Sequence, residues 1–423
     1  MYIADLHIHS RFSRATSRDG DALHLDFWAR RKGIGLVGTG DFTHPAWREE
    51  LRQHLEPAGQ GVYRLKEELR LPGAAPGPAP RFVVTGEISS IYKRGGKTRK
   101  VHNVILLPSL EAADELSARL EAIGNIRSDG RPILGLDSRD LLELTLEACP
   151  EAEFIPAHIW TPHFSMFGAF SGFDTIEECF ADMTPHIHAV ETGLSSDPPM
   201  NWRVSMLDGL TLVSHSDAHS PAKLGREADL LDTGVSYPEL VRAIRTGEGF
   251  CGTVEFFPEE GKYHLDGHRS CGVCLTPAET AAREDRPAGF RPKGAKPYES
   301  LAPLPEVIAA STGLSAGSKK VAQQYEQLLE RLGPEFAILR EVPPEDIERA
   351  AGPCIAEGIR RLRAGRVQRR AGFDGEYGVI SLLTPAEIEQ FSGQTSLFGF
   401  EAPPRQPAPA QVGGAAVKVR PAQ

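Results

Sequence analysis

Long apolar runs are missing from this chain. No window approaches the roughly 18 apolar residues that a membrane span needs, and the opening residues MYIADLHIHS lack the basic-then-apolar layout of a signal peptide. A soluble, cytoplasmic protein with no membrane partner is expected. Cysteine is scarce as well: Cys149, Cys179, Cys251, Cys271, Cys274 and Cys354 are too sparse and uneven for a disulfide framework, which fits a reducing compartment. Excess positive charge is absent, and a net charge of −10 argues against a uniformly basic nucleic-acid coat. No internal repeat is present. The tail after about Gly399, EAPPRQPAPAQVGGAAVKVRPAQ, lacks apolar periodicity, so residues 400–423 are expected to be disordered.

What remains is long enough to bury a real core, at 423 residues and 40% hydrophobic content. From residue 1 to about 255, short β-rich runs (YIADLHIH, GIGLVGTG, RFVVTGE, VHNVILL, EFIPAH, HAVET, LTLVSHS) alternate with amphipathic stretches such as DALHLDFWARRKG and SLEAADELSARLEAIG. That alternation predicts a parallel sheet, open or closed into a barrel. Residues 256–300 are polar and rich in Gly and Pro around HLDGHRSCGVC, and read as a linker or a small metal-stabilised module. Helical periodicity returns from about 301, with KKVAQQYEQLLERLG and PEDIERAAGPCIAEGIRRLRAG the clearest cases.

Net charge hides distribution. YKRGGKTRK gathers Lys93, Arg94, Lys97, Arg99 and Lys100, and IRRLRAGRVQRR holds six arginines beginning with Arg360 and Arg361. Either cluster alone reads as a solvated loop or helix face. Together, in an acidic protein, they point toward a polyanionic substrate.

The stretch SHSDAH, residues 214–219, crowds two histidines and an aspartate behind the apolar lead-in GLTLV. Such groups are costly to bury unless something satisfies them. The same placement recurs along the chain. His7 and His9 are two apart on a strand and share a face. Asp41 and His44 follow the second strand, Glu87 ends the third, His102 opens the fourth, His158 ends the fifth, and Asp217 and His219 end the last. Singly, each reads as a hydrogen-bonded core residue or a helix N-cap. Their recurrence at strand ends points to shared divalent cations, which neutralise carboxylates and take imidazole lone pairs. His163 and His215 neighbour these positions and are candidates for orienting the ligands.

These residues resemble the PHP (polymerase and histidinol phosphatase) family. The resemblance implies an α/β fold, a distorted (β/α)7 barrel over residues 1–255, holding two to three divalent ions, with zinc, manganese or magnesium as candidates. By similarity, His7, His9, Glu87 and Asp217 would hold one ion and Glu87, His102 and His158 a second. Asp41 or His44, with His219, would hold a third, although the loop SRFSRATSRDG lacks a histidine that many relatives carry there. Glu87, Asp217 and His219 are the candidate catalytic groups. Bridged cations of this kind bring a bound water's pKa toward neutrality, clamp a phosphate oxygen and stabilise a leaving oxygen, so phosphoester hydrolysis is the expected reaction.

Three later stretches narrow the substrate. KYHLDGHRSCGVC with the helical region beginning LAPLPEVIA, and GFDGEYGVI at 372–380, in that order after a PHP barrel, resemble the endonuclease Q family. That resemblance implies a DNA repair endonuclease nicking on the 5′ side of uracil, hypoxanthine or xanthine, or at abasic sites. The family's four-cysteine zinc module is incomplete here. Cys271 and Cys274 form a single CxxC, so residues 256–300 are expected to be a degenerate zinc-ribbon-like linker, and residues 301–399 a helical DNA-binding region. QTSLF, residues 394–398, resembles the peptide by which bacterial DNA enzymes dock on the sliding clamp, with Gln394, Leu397 and Phe398 as anchors.

IWTPHFSMFGAFSGF follows His158 directly. Phe167, Phe170 and Phe173 read as core packing, whereas Trp160 and Phe164, nearest the ligands, are candidates for holding an unstacked base. Damaged DNA is thus the expected partner and the nucleoid the expected location. A small-molecule phosphomonoesterase, or a DNA- or clamp-associated scaffold with a vestigial metal site, are the rival readings.

Overall fold

The alternating strands and helices build a mixed sheet in the computed structural model, which describes residues 1–73, 79–261, 284–372 and 377–393. The strands are β1 (Tyr2–Asp5), β2 (Leu36–Gly38), β3 (Leu55–Gly59), β4 (Val62–Leu65), β5 (Arg81–Arg94), β6 (Lys97–Leu107), β7 (Ile133–Leu134), β8 (Glu153–Pro156), β9 (Ala189–Glu191), β10 (Thr211–Val213), β11 (Ala228–Leu231), β12 (Phe250–Glu255) and β13 (Tyr298–Ser300). One sheet runs β13-β12-β11-β1-β2-β5-β4-β3, with β6 pairing β5 and β8, and β7 pairing β5; β9 and β10 form a separate parallel pair. Ala4, Leu36, Val83, Val104, Ile155, Ala189, Val213 and Leu231 nevertheless meet in one apolar cluster, closed by Tyr237, Leu240 and Ile244 of the helix Tyr237–Thr246. Strands from both sheets therefore surround a common interior.

The expected parallel sheet is corrected to a mixed one. β1 with β2 and β2 with β5 are parallel, but β5 with β6, β6 with β8, and β1 with β11 are antiparallel. For β5 and β6 the cause lies at Gly95 and Gly96, whose φ angles of 61° and 74° make a tight two-residue turn. The basic run YKRGGKTRK is thus the tip of a long hairpin. Glu87 does not end its strand but sits midway along β5, opposite Val104, while His102 lies midway along β6, opposite Ser89.

Beyond β13, which pairs parallel with β12, helices Leu304–Thr312, Lys319–Leu332, Glu335–Arg340, Pro344–Ala351 and Pro353–Arg363 follow. The single periodic stretch PEDIERAAGPCIAEGIRRLRAG is two helices, broken where Gly352 takes φ 88° before Pro353. The helix Ala22–Lys32 carries the joint to this region. Arg31 pairs with Glu326 at 2.5 and 3.0 Å, and Lys32 Nζ lies 3.2 Å from Glu335.

The arginine cluster divides: Arg361 and Arg363 are engaged inside the fold, whereas Arg360, Arg366, Arg369 and Arg370 are exposed. Arg361 makes a two-pronged pair with Glu387 at 2.7 and 3.1 Å, Arg360 turns to Glu357, and Arg363 donates to the carbonyls of Ile338, Leu339 and Val342. The periodicity that places arginines on a helix face says nothing of the carboxylates and carbonyls packed against them. Among the described residues no helix is long and apolar enough to cross a membrane.

Candidate metal centre

Past the apolar interior, β1, β8, β9 and β10 deliver polar groups within a few residues of their C-terminal ends, and β5 and β6 deliver them from mid-strand. Glu87 is the hub. Its Oε2 lies 3.3 Å from His9 Nε2 and 3.6 Å from His7 Nε2, and its Oε1 lies 2.6 Å from His102 Nδ1 and 3.1 Å from His158 Nε2. Asp217 Oδ1 completes the first side, 3.0 Å from His9 Nε2 and 3.6 Å from His7 Nε2. Two groups result, His7, His9, Glu87 and Asp217, and Glu87, His102 and His158, each offering ligand atoms within 4.8 Å of one another. Glu87 belongs to both.

The donor set fits divalent cations on an independent ground. His7 Nε2, His9 Nε2, His102 Nδ1, His158 Nδ1 and Asp217 Oδ1 are buried without a hydrogen-bond partner. Orphaned polar atoms of this kind cost about 1–3 kcal/mol each, so several in one spot need a common explanation. Shared ions supply one. Backbone geometry agrees: Asp41, His158 and Asp217 hold φ of 50°, 31° and 47°, a region that costs non-glycine residues on the order of 1–3 kcal/mol and concentrates at functional sites. At Gly193, an added Cβ would lie 2.4 Å from His158 Cβ, so glycine is required there for the loop to pass the ligand.

Proton affinities follow the same arrangement. Burial alone would push His7 and His9 down, but Glu191, Glu87 and Asp217 around the first, and Asp217, Asp41 and Glu87 around the second, hold both imidazoles well above their ordinary value. Burial raises the affinity of Glu87 for a proton, and His102, Arg131 and His7 outweigh it, so the carboxylate stays ionised. His102 is held down at about 4 by burial, against the pull of Glu87, and is neutral. Without an ion, protons on His7 and His9 balance the carboxylates; a cation must displace them. Apparent metal affinity is therefore expected to rise with pH through the neutral range, with proton release on binding. Calorimetric titration in two buffers of different ionisation enthalpy checks this, and identical heats in both would contradict it.

Not every candidate ligand joins the groups. Asp41 stands behind His9: Oδ1 accepts from His9 Nδ1 at 3.0 Å, and Oδ2 accepts from Ser10 N, Ser10 Oγ and Ser13 Oγ at 2.7, 2.6 and 2.9 Å. With both oxygens engaged it orients a ligand instead of being one. His44 begins the helix Pro45–His54, stacks on Phe12 at 4.4 Å, and donates from Nε2 to the Arg127 carbonyl at 3.0 Å. His219 lies at the mouth, 34% exposed, its ring 4.6 Å from that of His9. Among the described residues Asp41, His44 and His219 form no third cluster of ligand atoms beside the first two. Cys271, Cys274, Gln394, Leu397 and Phe398 lie outside the described residues.

The DNA-contact candidates also divide. Lys93 and Lys97 are exposed near the hairpin tip. Arg94 turns inward to Asp137 and the Cys179 carbonyl, and Arg99 to the Gly172 carbonyl and over the Phe173 ring. Trp160 is buried and donates Nε1–H to Asn201 Oδ1 at 2.7 Å, so it cannot be an open stacking platform. Phe164 packs against His102 at 4.9 Å, with Lys100 Nζ 5.1 Å from its ring.

Two important groups escaped the sequence reading. Glu191 accepts from His7 Nδ1 at 3.0 Å, His215 Nδ1 at 2.9 Å and the His158 amide at 2.8 Å, and so ties together ligands from both groups. Burial would raise its pKa, but His7 and His215 hold it at about 2, while Asp229 and Glu191 hold His215 up at about 10 against burial. The signal was present in HAVET, a carboxylate closing a strand. Glu191→Gln is expected to weaken metal binding about 10- to 100-fold through loss of ligand orientation, as read by chelator competition; unchanged affinity would refute this. Arg131 had no such signal: it comes from a loop, and its guanidinium reaches Glu87 Oε2 at 2.9 Å.

Beside the cluster opens a cavity of about 580 Å³. It is lined by His158, Glu191, Asp217 and His219 from the cluster together with Arg226 and Tyr377.

A family model described as the MJ0043 C-terminal domain matches residues 303–366, within the C-terminal helices. The Bacillus subtilis protein YqxK is 28% identical over 406 residues, covering 89% of this chain and 98% of YqxK. The Methanocaldococcus jannaschii protein MJ0043 is 28% identical over 267 residues, 56% of this chain and 33% of that protein. Among solved structures, the lesion-specific endonuclease PfuEndoQ from Pyrococcus furiosus superposes with a TM-score of 0.79 at 28% identity, covering 94% of this chain and 97% of that one. Endonuclease Q bound to a 27-mer duplex with an abasic lesion at its active site superposes at 0.78 and 28% identity, covering 92% and 97%. The mixed α/β fold of this chain is that of endonuclease Q along nearly its whole length.

Proposed function

We propose that this protein is a metal-dependent DNA repair endonuclease that hydrolyses the phosphodiester on the 5′ side of a deaminated base (uracil, hypoxanthine or xanthine) or an abasic site. The observation that carries the reading is the convergence of four buried imidazoles on Glu87 and Asp217, three of them (His7 Nε2, His9 Nε2 and His102 Nδ1) through nitrogens with no hydrogen-bond partner, in a chain with the endonuclease Q fold.

His7, His9, Glu87 and Asp217 would hold one divalent ion and Glu87, His102 and His158 a second, with zinc, manganese and magnesium all compatible with N and O donors. Such a pair supplies an activated water and charge neutralisation for in-line displacement. The remaining residues position the DNA. Arg131, already at the rim of the cluster beside Glu87, offers further N–H donors to a phosphate oxygen. The carbonyl of Asp217, 2.9 Å away, can only accept, so the His219 proton sits on Nδ1. That leaves the Nε2 lone pair for a proton passing between water and the leaving oxygen. Lys93 and Lys97 sit on the outstretched hairpin for contact with the flanking backbone. In this reading residues 1–255 are the catalytic unit, 256–300 the linker and 301–399 the DNA-binding helical region, with 394–398 recruiting a sliding clamp.

End-labelled duplexes carrying one uracil, one hypoxanthine, one abasic site or no lesion, incubated with Mn, Mg, Zn or chelator, test the proposal. Internal nicks 5′ to the lesion, on damaged strands only and abolished by chelator, are expected. Phosphate release from small monoesters without nicking would overturn it.

A further inference from the structure

One exposed aromatic group in the loop that follows the ligand His158 has no part in the chemistry of the metal centre. Residues 159–173 leave β8 directly after His158 and fold back across β6, where the His102 amide donates to the Phe164 carbonyl at 3.0 Å and the Lys100 amide to the Ser171 carbonyl at 3.4 Å. Within this segment Trp160, Phe167 and Phe173 are buried, as core packing requires of such spacing. Phe170, expected to pack with them, is instead 68% exposed. Its ring lies flat on that of His163, with centroids 4.5 Å apart and 10° between planes, and its amide is pinned to the Pro162 carbonyl at 3.2 Å. A phenylalanine kept out of the core forgoes the gain of burial, yet this one rests against His163 with its amide hydrogen-bonded. Lysines accompany it: Lys100 lies over the Phe164 ring of the same loop, and Lys93 and Lys97 stand exposed further along the hairpin.

We propose that Phe170, braced by His163, is a wedge that enters the base stack of duplex DNA beside the nucleotide held at the metal centre, with the hairpin lysines on the flanking phosphates. This inference rests on the nuclease reading. Its occupant is nucleic acid on two grounds: the neighbouring charge is cationic, and a rigid flat ring matches the π-face that every base presents. A damaged base must leave the stack before it can be read, and a side chain that fills the gap lowers the cost of opening.

The test uses the full-length, metal-loaded protein and two uracil substrates, a paired duplex and a single strand, with 2-aminopurine next to the lesion reporting unstacking. Phe170→Ala is expected to slow nicking of the duplex roughly 10- to 100-fold, the scale of one lost stacking contact, and to abolish the fluorescence rise, while single-strand nicking stays within about twofold because no stack has to be opened. Phe170→Trp should restore the duplex rate and the fluorescence rise. Equal losses on the two substrates, or no loss on either, would overturn the wedge and return the stack to a protein-facing or structural role. A wild-type protein that nicks neither substrate would instead sink the nuclease reading, so the two failures are distinguishable.

Discussion

Glu87→Gln is expected to reduce lesion nicking by at least about a thousandfold in kcat, because it removes the one side chain shared by both ligand groups. The substitution keeps size and shape, and mid-strand β5 is pinned on both sides of residue 87 by the β6 ladder, so the backbone should stay in place. What changes is chemistry. The carboxylate turns one oxygen to His7 and His9 and the other to His102 and His158; an amide offers one oxygen and one N–H₂, which cannot ligate. Metal content measured on the purified protein should fall from about two ions per chain toward zero, and added metal should no longer raise the melting temperature. A variant that kept both ions and nicked within tenfold of wild type would show that Glu87 is not the bridge.

The polar groups of this centre were legible because each interrupts a buried apolar strand, where only a shared partner makes it tolerable. Their roles were less so. At a strand end, an aspartate that ligates and one that orients a ligating histidine look alike in sequence, which is why Asp41 was grouped with the ligands and Glu191 was passed over. The difference lies in which atoms face the cluster, and the left-handed φ angles at Asp41, His158 and Asp217 that set those directions leave no mark in composition. Strand direction was legible in principle, since two glycines between apolar runs signal a hairpin. The surrounding lysines and arginines made the same residues read as a solvated basic loop. Aromatic spacing identified the core-facing positions in 159–173 but assigned Trp160 and Phe170 to the wrong sides, because a loop without helical period has no face to predict.

Glu335→Ala should cost about 3–5 kcal/mol of stability, the scale for stranding one charge of a buried pair. Glu335 opens the helix Glu335–Arg340 and is buried together with Lys32. Its carboxylate accepts from Lys32 Nζ at 3.2 Å, Tyr325 Oη at 2.8 Å and the Leu304 amide at 2.8 Å, and so joins three segments of the helical region to the helix Ala22–Lys32 of the sheet-bearing part. Alanine leaves an ammonium, a hydroxyl and an amide without an acceptor. The neighbouring pair Arg31 with Glu326 should matter far less, because Glu326 is 61% exposed and water can replace it. Urea unfolding of Glu335→Ala and Glu326→Ala separates the two, and a loss below about 1 kcal/mol for Glu335→Ala would show that the buried pair is not what holds the joint. The double variant Lys32→Met with Glu335→Leu should recover the part of the loss due to the stranded ammonium but not the part due to the Tyr325 hydroxyl and the Leu304 amide, which still lack an acceptor. The functional consequence follows from the cavity: Glu306 and Tyr377, from beyond the joint, line it together with His158 and Asp217. Loosening the joint in Glu335→Ala should therefore raise KM for lesion DNA while metal content, set by β1, β5, β6, β8 and the Asp217 loop, stays at the wild-type value.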